Sequence, residues 1–138
     1  MKRQIINGSI KLGTTNYLIT NSIQLKFEIY SFIRIVANNF SLQPYVVERI
    51  EYIFKEVWKK HTTFFNTIPY ENAVIGVMIL ANEEFCSING IDYIPIDVKP
   101  FVEQLYGAHN VQKNIIQIYT VYQNVKDIFK WISTFENR

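Results

Sequence analysis

The side chains able to do chemistry are few. His61 and His109 are the two histidines of the chain, and both fall in predicted turns, where a surface or capping role accounts for an imidazole as well as general acid–base work does. Glu83 and Glu84 form a vicinal carboxylate pair near a predicted helix end. No nearby residue promises it burial or a metal partner, so it reads as solvated charge. Cys86 is the single cysteine, which leaves no disulfide framework and no paired-cysteine zinc site within the chain; it reads as a small buried hydrophobe. The five glycines are spent on turns and, at Gly76, on one close helix approach, and none builds a phosphate-cradling loop. No catalytic constellation emerges, so the expectation is a non-enzyme without metal or cofactor.

Amide and ammonium groups offer more. Lys99, Gln112, Lys113 and Gln117 fall on two successive predicted helices. At the start of a helix lying in a major groove, Gln and Lys can read adenine and guanine edges, and Lys99 could reach a phosphate. The same residues could equally be the polar face of an amphipathic helix. A second basic patch, Lys55, Lys59 and Lys60 with His61, ends an earlier helix, where the helix dipole favours cations in any case. Lys2, Arg3 and Lys11 could add a third contact.

The elements that must position these groups follow from length and patterning. A chain of 138 residues should form one domain, 1–138, with its own core. The net charge of +2 is mild, so a grip on nucleic acid needs local clustering. No apolar run of the kind that opens a signal peptide stands at the start, so the expected location is inside a cell (nucleus, cytoplasm or a host cell) and not outside it.

From Ala73 to Ala81 the chain is apolar on every side. A helix without a polar face must be enclosed by protein, and nine residues are too few to cross a bilayer, which takes roughly 20. A central buried helix over about 71–85 is therefore expected; the alternative is a buried strand, given its Val and Ile. Around it the pattern predicts a helix over Ile23–Phe40, and a second, amphipathic one with Ser41 as N-cap and Pro44 in its first turn, carrying Val46, Val47, Ile50, Ile53, Phe54, Val57 and Trp58. Pro69 marks the start of the buried helix. Asp97 should cap a short fourth helix that Gly107 stops, and Asn110 should cap a long fifth one with Val111, Ile115, Ile118, Tyr122, Val125, Phe129 and Ile132 at helical spacing. Residues 97–133 thus read as a helix-turn-helix. The Asn7-Gly8 and Asn89-Gly90 pairs suggest β-hairpins near 3–12 and 85–94. The expected layout is a hairpin or extended arm over 1–20 followed by a helical core over 22–135.

Three segments carry a family resemblance. FSLQPYVVERIEYIFKEVW (Phe40–Trp58) resembles the first-to-second helix passage of transcription factor IIB repeats, ENAVIGVMILAN (Glu71–Asn82) resembles their small-residue central helix, and IDVKPFVEQLYGAHNVQKNIIQIYTVY (Ile96–Tyr122) resembles their fourth and fifth helices. The match runs in order over roughly Ile23 to Trp131. It implies a cyclin-box fold, five helices with the third ringed by the others. It also implies a transcription-initiation binding module that contacts DNA, a protein of the polymerase machinery, or a second copy across the flank where the family's second repeat would sit. The alternative is a cyclin-like protein–protein adaptor without nucleic-acid binding, of a kind a virus could encode. The chain departs from the family in having one repeat, no zinc-ribbon cysteines and Gln117-Ile118 before Tyr119 where the family often presents a basic residue. The third helix carries no basic residue between Glu71 and Phe85, unlike the kinase-binding cyclins.

Overall fold

The computed structural model describes residues 22–60 and 68–136. Five α-helices follow one another: α1 (Ser22–Phe40), α2 (Pro44–Lys60), α3 (Tyr70–Ile88), α4 (Lys99–Tyr106) and α5 (Val111–Glu136), with a single 3-10 turn, Ala108–Asn110, between the last two. They pack as a bundle, and there are no strands among the described residues. No helix among them is long and apolar enough to cross a membrane.

The apolar run is helical and enclosed. Every residue from Glu71 to Ala81 is buried, and α3 packs against α1, α2 and α5. Helix costs a Val or Ile roughly 0.5 kcal/mol relative to Ala, whereas fully burying such a side chain contributes about 1.5–3 kcal/mol. Packing therefore overrides the strand preference of Val74, Ile75, Val77 and Ile79. Gly76 lies close against α5: a Cβ there would lie 2.8 Å from the Ile118 carbonyl oxygen and 2.8 Å from Val121 Cβ.

The surrounding helices turn one stripe each toward α3. Leu25, Ile29, Phe32, Ile33 and Val36 on α1, Val46, Ile50, Ile53, Phe54 and Val57 on α2, and Val111, Ile118, Val121, Val125 and Phe129 on α5 are all buried. Val47, Trp58, Ile115 and Tyr122 pack at the margin of that core. Arg49 of α2 clamps Glu84 of α3 through its Nε at 2.8 Å.

Several sequence expectations need correction. The hairpin near 85–94 is absent, because α3 continues through Cys86 to Ile88 and Asn89-Gly90 forms its stop. Gly90 takes φ +65°, the Ile91 N–H donates to the Cys86 carbonyl at 2.9 Å, and the Asn89 side chain donates to the Phe85 carbonyl. A left-handed glycine serves a helix C-terminus as well as a turn between strands. The central helix accordingly spans Tyr70–Ile88 rather than 71–85. Ser41 is not the N-cap of α2: it sits at φ 52° as the left-handed residue closing α1, and the first N–H groups of α2 are met by the Gln43 carbonyl. Asp97 does accept from the Lys99 N–H at 3.1 Å, two residues on. Asn110 lies in the 3-10 turn, and its amide donates backward to the Tyr106 carbonyl rather than capping α5. The hairpin near 3–12 and the arm over 1–20 lie outside the described residues.

Candidate nucleic-acid interface

A short helix, a tight turn and a long helix need a fixed angle if they are to present side chains to a ligand. Here one residue of α3 hydrogen-bonds to both helices. Asn72 is fully buried, and its amide nitrogen donates to Asn114 Oδ1 at 2.8 Å and to Gln117 Oε1 at 2.6 Å, both on α5. Its oxygen accepts from the Tyr106 hydroxyl on α4 at 2.9 Å. The net extends upward: Asn114 donates to the Asn110 carbonyl at 2.7 Å, and Asn110 to the Tyr106 carbonyl at 3.0 Å. Three elements are thus tied at one point, as a buried polar group requires.

Burial pushes the Tyr106 hydroxyl well above the ordinary value of 10, and the nearby Glu71 carboxylate adds to the shift. Above the net lies a cleft of about 590 Å³ between Pro69 and the first turns of α5, lined by Tyr106, Asn110, Lys113, Asn114 and Gln117. The Lys113 ammonium and the N-terminal turns of α5 stand at that cleft, and the Glu71 carboxylate acts on Tyr106 beneath it.

The structure separates the four predicted contact residues. Gln112 and Lys113 are exposed in the first turn of α5. Lys99 is exposed at the opposite end of α4, roughly 10 Å of helix away from the turn at 1.5 Å per residue. Gln117 is half-buried and engaged by Asn72, so it belongs to the scaffold. In the second basic patch, Lys55 and Lys59 are exposed on α2. The side chain of Lys60, like all of His61, Lys2, Arg3 and Lys11, lies outside the described residues.

The outward stripe of α5 that begins at Gln112 continues through Ile116 and Tyr119, 57% and 40% exposed. An apolar edge therefore adjoins the polar first turn. Tyr93, from the segment after α3, lies in the electrostatic neighbourhood of Tyr119, Tyr122 and Glu83. Its hydroxyl is raised by burial first and by Glu83 second.

His109 is exposed in the 3-10 turn, and Cys86 is a buried thiol. The Glu83-Glu84 pair is not solvated charge. Glu84 is held by Arg49, and Glu83 accepts from the Tyr122 hydroxyl and from Lys126 at 3.0 Å. The Lys126 ammonium is raised to about 12 by its hydrogen bonds to Tyr122 and Glu83. Among the described residues no group of three or more His, Cys, Asp or Glu could hold a metal ion.

Sequence reasoning missed Asn72 as the organising residue. The signal was present: a polar residue next to a run buried on all sides must find partners within the fold.

Comparison with protein-family models, curated proteins and solved structures finds no match for this chain. Among the described residues it is a five-helix all-α domain.

Proposed function

We propose that the domain is a non-enzymatic binding module of the transcription-initiation type, built like a single cyclin-box repeat of the transcription factor IIB family, that contacts duplex DNA through α4, the turn and the first turn of α5. One observation carries this reading. Asn72 bolts both helices to the buried α3 while Lys99, Gln112 and Lys113 remain in solvent. A contact surface on rigid elements places its side chains precisely, and exposed Lys and Gln at a helix start suit phosphates and base edges. The buried third helix and the helix order support the cyclin-box plan.

The test is the double charge reversal Lys99→Glu/Lys113→Glu, read by anisotropy of a labelled duplex. Affinity should fall by about tenfold or more, and the salt slope should shrink by roughly two counterions, with the melting temperature unchanged because both side chains are exposed. Unaltered affinity and salt slope reject the DNA reading.

A second reading, a protein–protein adaptor without nucleic-acid contact, is favoured by the exposed Ile116 and Tyr119 on the same face of α5. Apolar side chains open to solvent suit a protein partner better than a phosphate backbone. It predicts binding that is insensitive to salt and lost in Ile116→Asp.

A further inference from the structure

The hydrogen bonds around Asn72 have a direction as well as a strength. An amide side chain donates at one end and accepts at the other, so a row of amides passes its polarity along. The row starts at a group that cannot be reversed: the Asn110 backbone carbonyl only accepts, and Asn114 Nδ2 donates to it at 2.7 Å. Asn114 must therefore turn Oδ1 toward Asn72, which meets it with Nδ2 at 2.8 Å. The second proton of that Nδ2 goes to Gln117 Oε1 at 2.6 Å, and Asn72 Oδ1 accepts from the Tyr106 hydroxyl. Turning over any one of the three amides would set two donors or two acceptors face to face, and Asn72 and Asn114 are buried.

The polarity ends at Gln117. Its oxygen is held by Asn72, and its Nε2, with two N–H donors, meets no acceptor among the described residues. Lys113, four residues earlier on α5, is a second donor with no ion pair or hydrogen bond among them. Residues four apart share a helix face. Both line the cleft of about 590 Å³ between Pro69 and α5, and no Asp or Glu among the described residues lines it. A glutamine with both ends free pairs with adenine, its oxygen accepting from N6 and its nitrogen donating to N7. Here the accepting end is already committed to Asn72.

We infer that Gln117 is a specificity-determining residue of the proposed DNA contact, selecting guanine over adenine together with Lys113, an inference that rests on that DNA reading. Guanine offers two acceptors, O6 and N7, to the two donors. Adenine offers one acceptor, N7, beside the N6 donor, and satisfies only one of them. Asn72 and Asn114 are positioning residues: they fix which end of Gln117 is left for the base.

The test uses the full chain and a pool of random-sequence duplexes, from which bound duplexes are recovered and sequenced. The wild type should enrich guanine at one position. Gln117→Met, which keeps the length of the side chain without its amide, should lose that enrichment. Gln117→Glu, which keeps an oxygen for Asn72 and removes the donors, should lose it too. Replacing the enriched guanine by 7-deazaguanine, which lacks the N7 acceptor, should weaken wild-type binding by about tenfold and weaken the variants less. Asn72 retains Asn114 as an acceptor in both variants, so an unchanged melting temperature separates lost selection from lost folding. Side-chain amide exchange, followed by NMR on the free chain, reads the polarity without DNA: the Asn72 protons should exchange slowly and the Gln117 protons fast. Recovery of no duplex overturns the DNA reading and this inference with it. Duplex binding that enriches adenine through Gln117, guanine enrichment that survives in both variants, or an affinity loss equal for every sequence, as a phosphate contact gives, overturns this inference alone. So do slowly exchanging Gln117 amide protons in the free chain.

Discussion

Replacing Asn72 by Ala should be among the most damaging single changes the domain can undergo, out of proportion to the few atoms removed. The substitution deletes three side-chain hydrogen bonds, to Asn114, Gln117 and Tyr106. Gln117 is half-buried and can turn to water, but the Asn114 oxygen and the Tyr106 hydroxyl are left inside the protein. An orphaned buried polar group costs about 1–3 kcal/mol, so the two together cost about 2–6 kcal/mol. The better helix propensity of Ala returns roughly 0.6 kcal/mol. The net loss of about 1.4–5.4 kcal/mol is large against a total of roughly 5–15 kcal/mol for a domain, and at this chain length it lowers the melting temperature by about 6–22 °C. Urea denaturation followed by circular dichroism measures it. Tyr106→Phe, alone and combined with Asn72→Ala, closes a double-mutant cycle in which the Asn72–Tyr106 coupling should be about 1 kcal/mol. A loss below about 1 kcal/mol for Asn72→Ala, or a coupling of zero, would refute the view that Asn72 ties the three helices together.

Gly76→Ala should destabilise by about 1–3 kcal/mol despite improving helix propensity, because its Cβ would meet the Ile118 carbonyl and Val121 of α5 at 2.8 Å; thermal melts of the purified variant check this. Arg49→Ala should cost about 3 kcal/mol, since the Arg49 and Glu84 side chains are only 11% and 13% exposed and the carboxylate would lose its paired cation. Arg34→Ala, at a largely exposed pair, should cost under about 1 kcal/mol, and urea midpoints of the two variants compare them directly. Alkaline pH should destabilise the fold through Tyr106. Its hydroxyl is raised above the ordinary 10 by burial, so the folded state holds a proton that the unfolded chain releases. The contribution is complete below about pH 10 and is lost as pH rises beyond it, by up to about 1.4 kcal/mol per pH unit, and Tyr106→Phe should flatten that dependence in urea midpoints taken at pH 8, 10 and 11.

What could be read from the residues alone was the part governed by apolar periodicity. The Ala73–Ala81 run pointed to a helix sealed by others, with a buried strand as the alternative, and the stripes on α2 and α5 pointed at it. Asn89-Gly90 misled because a left-handed glycine closes a helix as readily as it turns a hairpin, and α3 runs on through Cys86 to reach it. Ser41 and Asn110 misled in a similar way: each residue type favours N-caps, but both were taken up in closing the preceding helix. The site was legible as residue types and not as geometry. Gln117 looked like surface until Asn72 claimed it, and spacing in sequence could not reveal that Lys99 and Lys113 sit at opposite ends of the α4 unit.

The most direct test of the central claim is amide chemical-shift mapping of the isotope-labelled chain during titration with a DNA duplex. A platform formed by α4, the turn and α5 on a fixed base should place the largest shifts at Lys99, Gln112 and Lys113, and leave the buried amides of Val74–Leu80 unmoved. Shifts absent at those three residues while Ile116 and Tyr119 respond to a protein ligand instead, or shifts spread through α3, would contradict it.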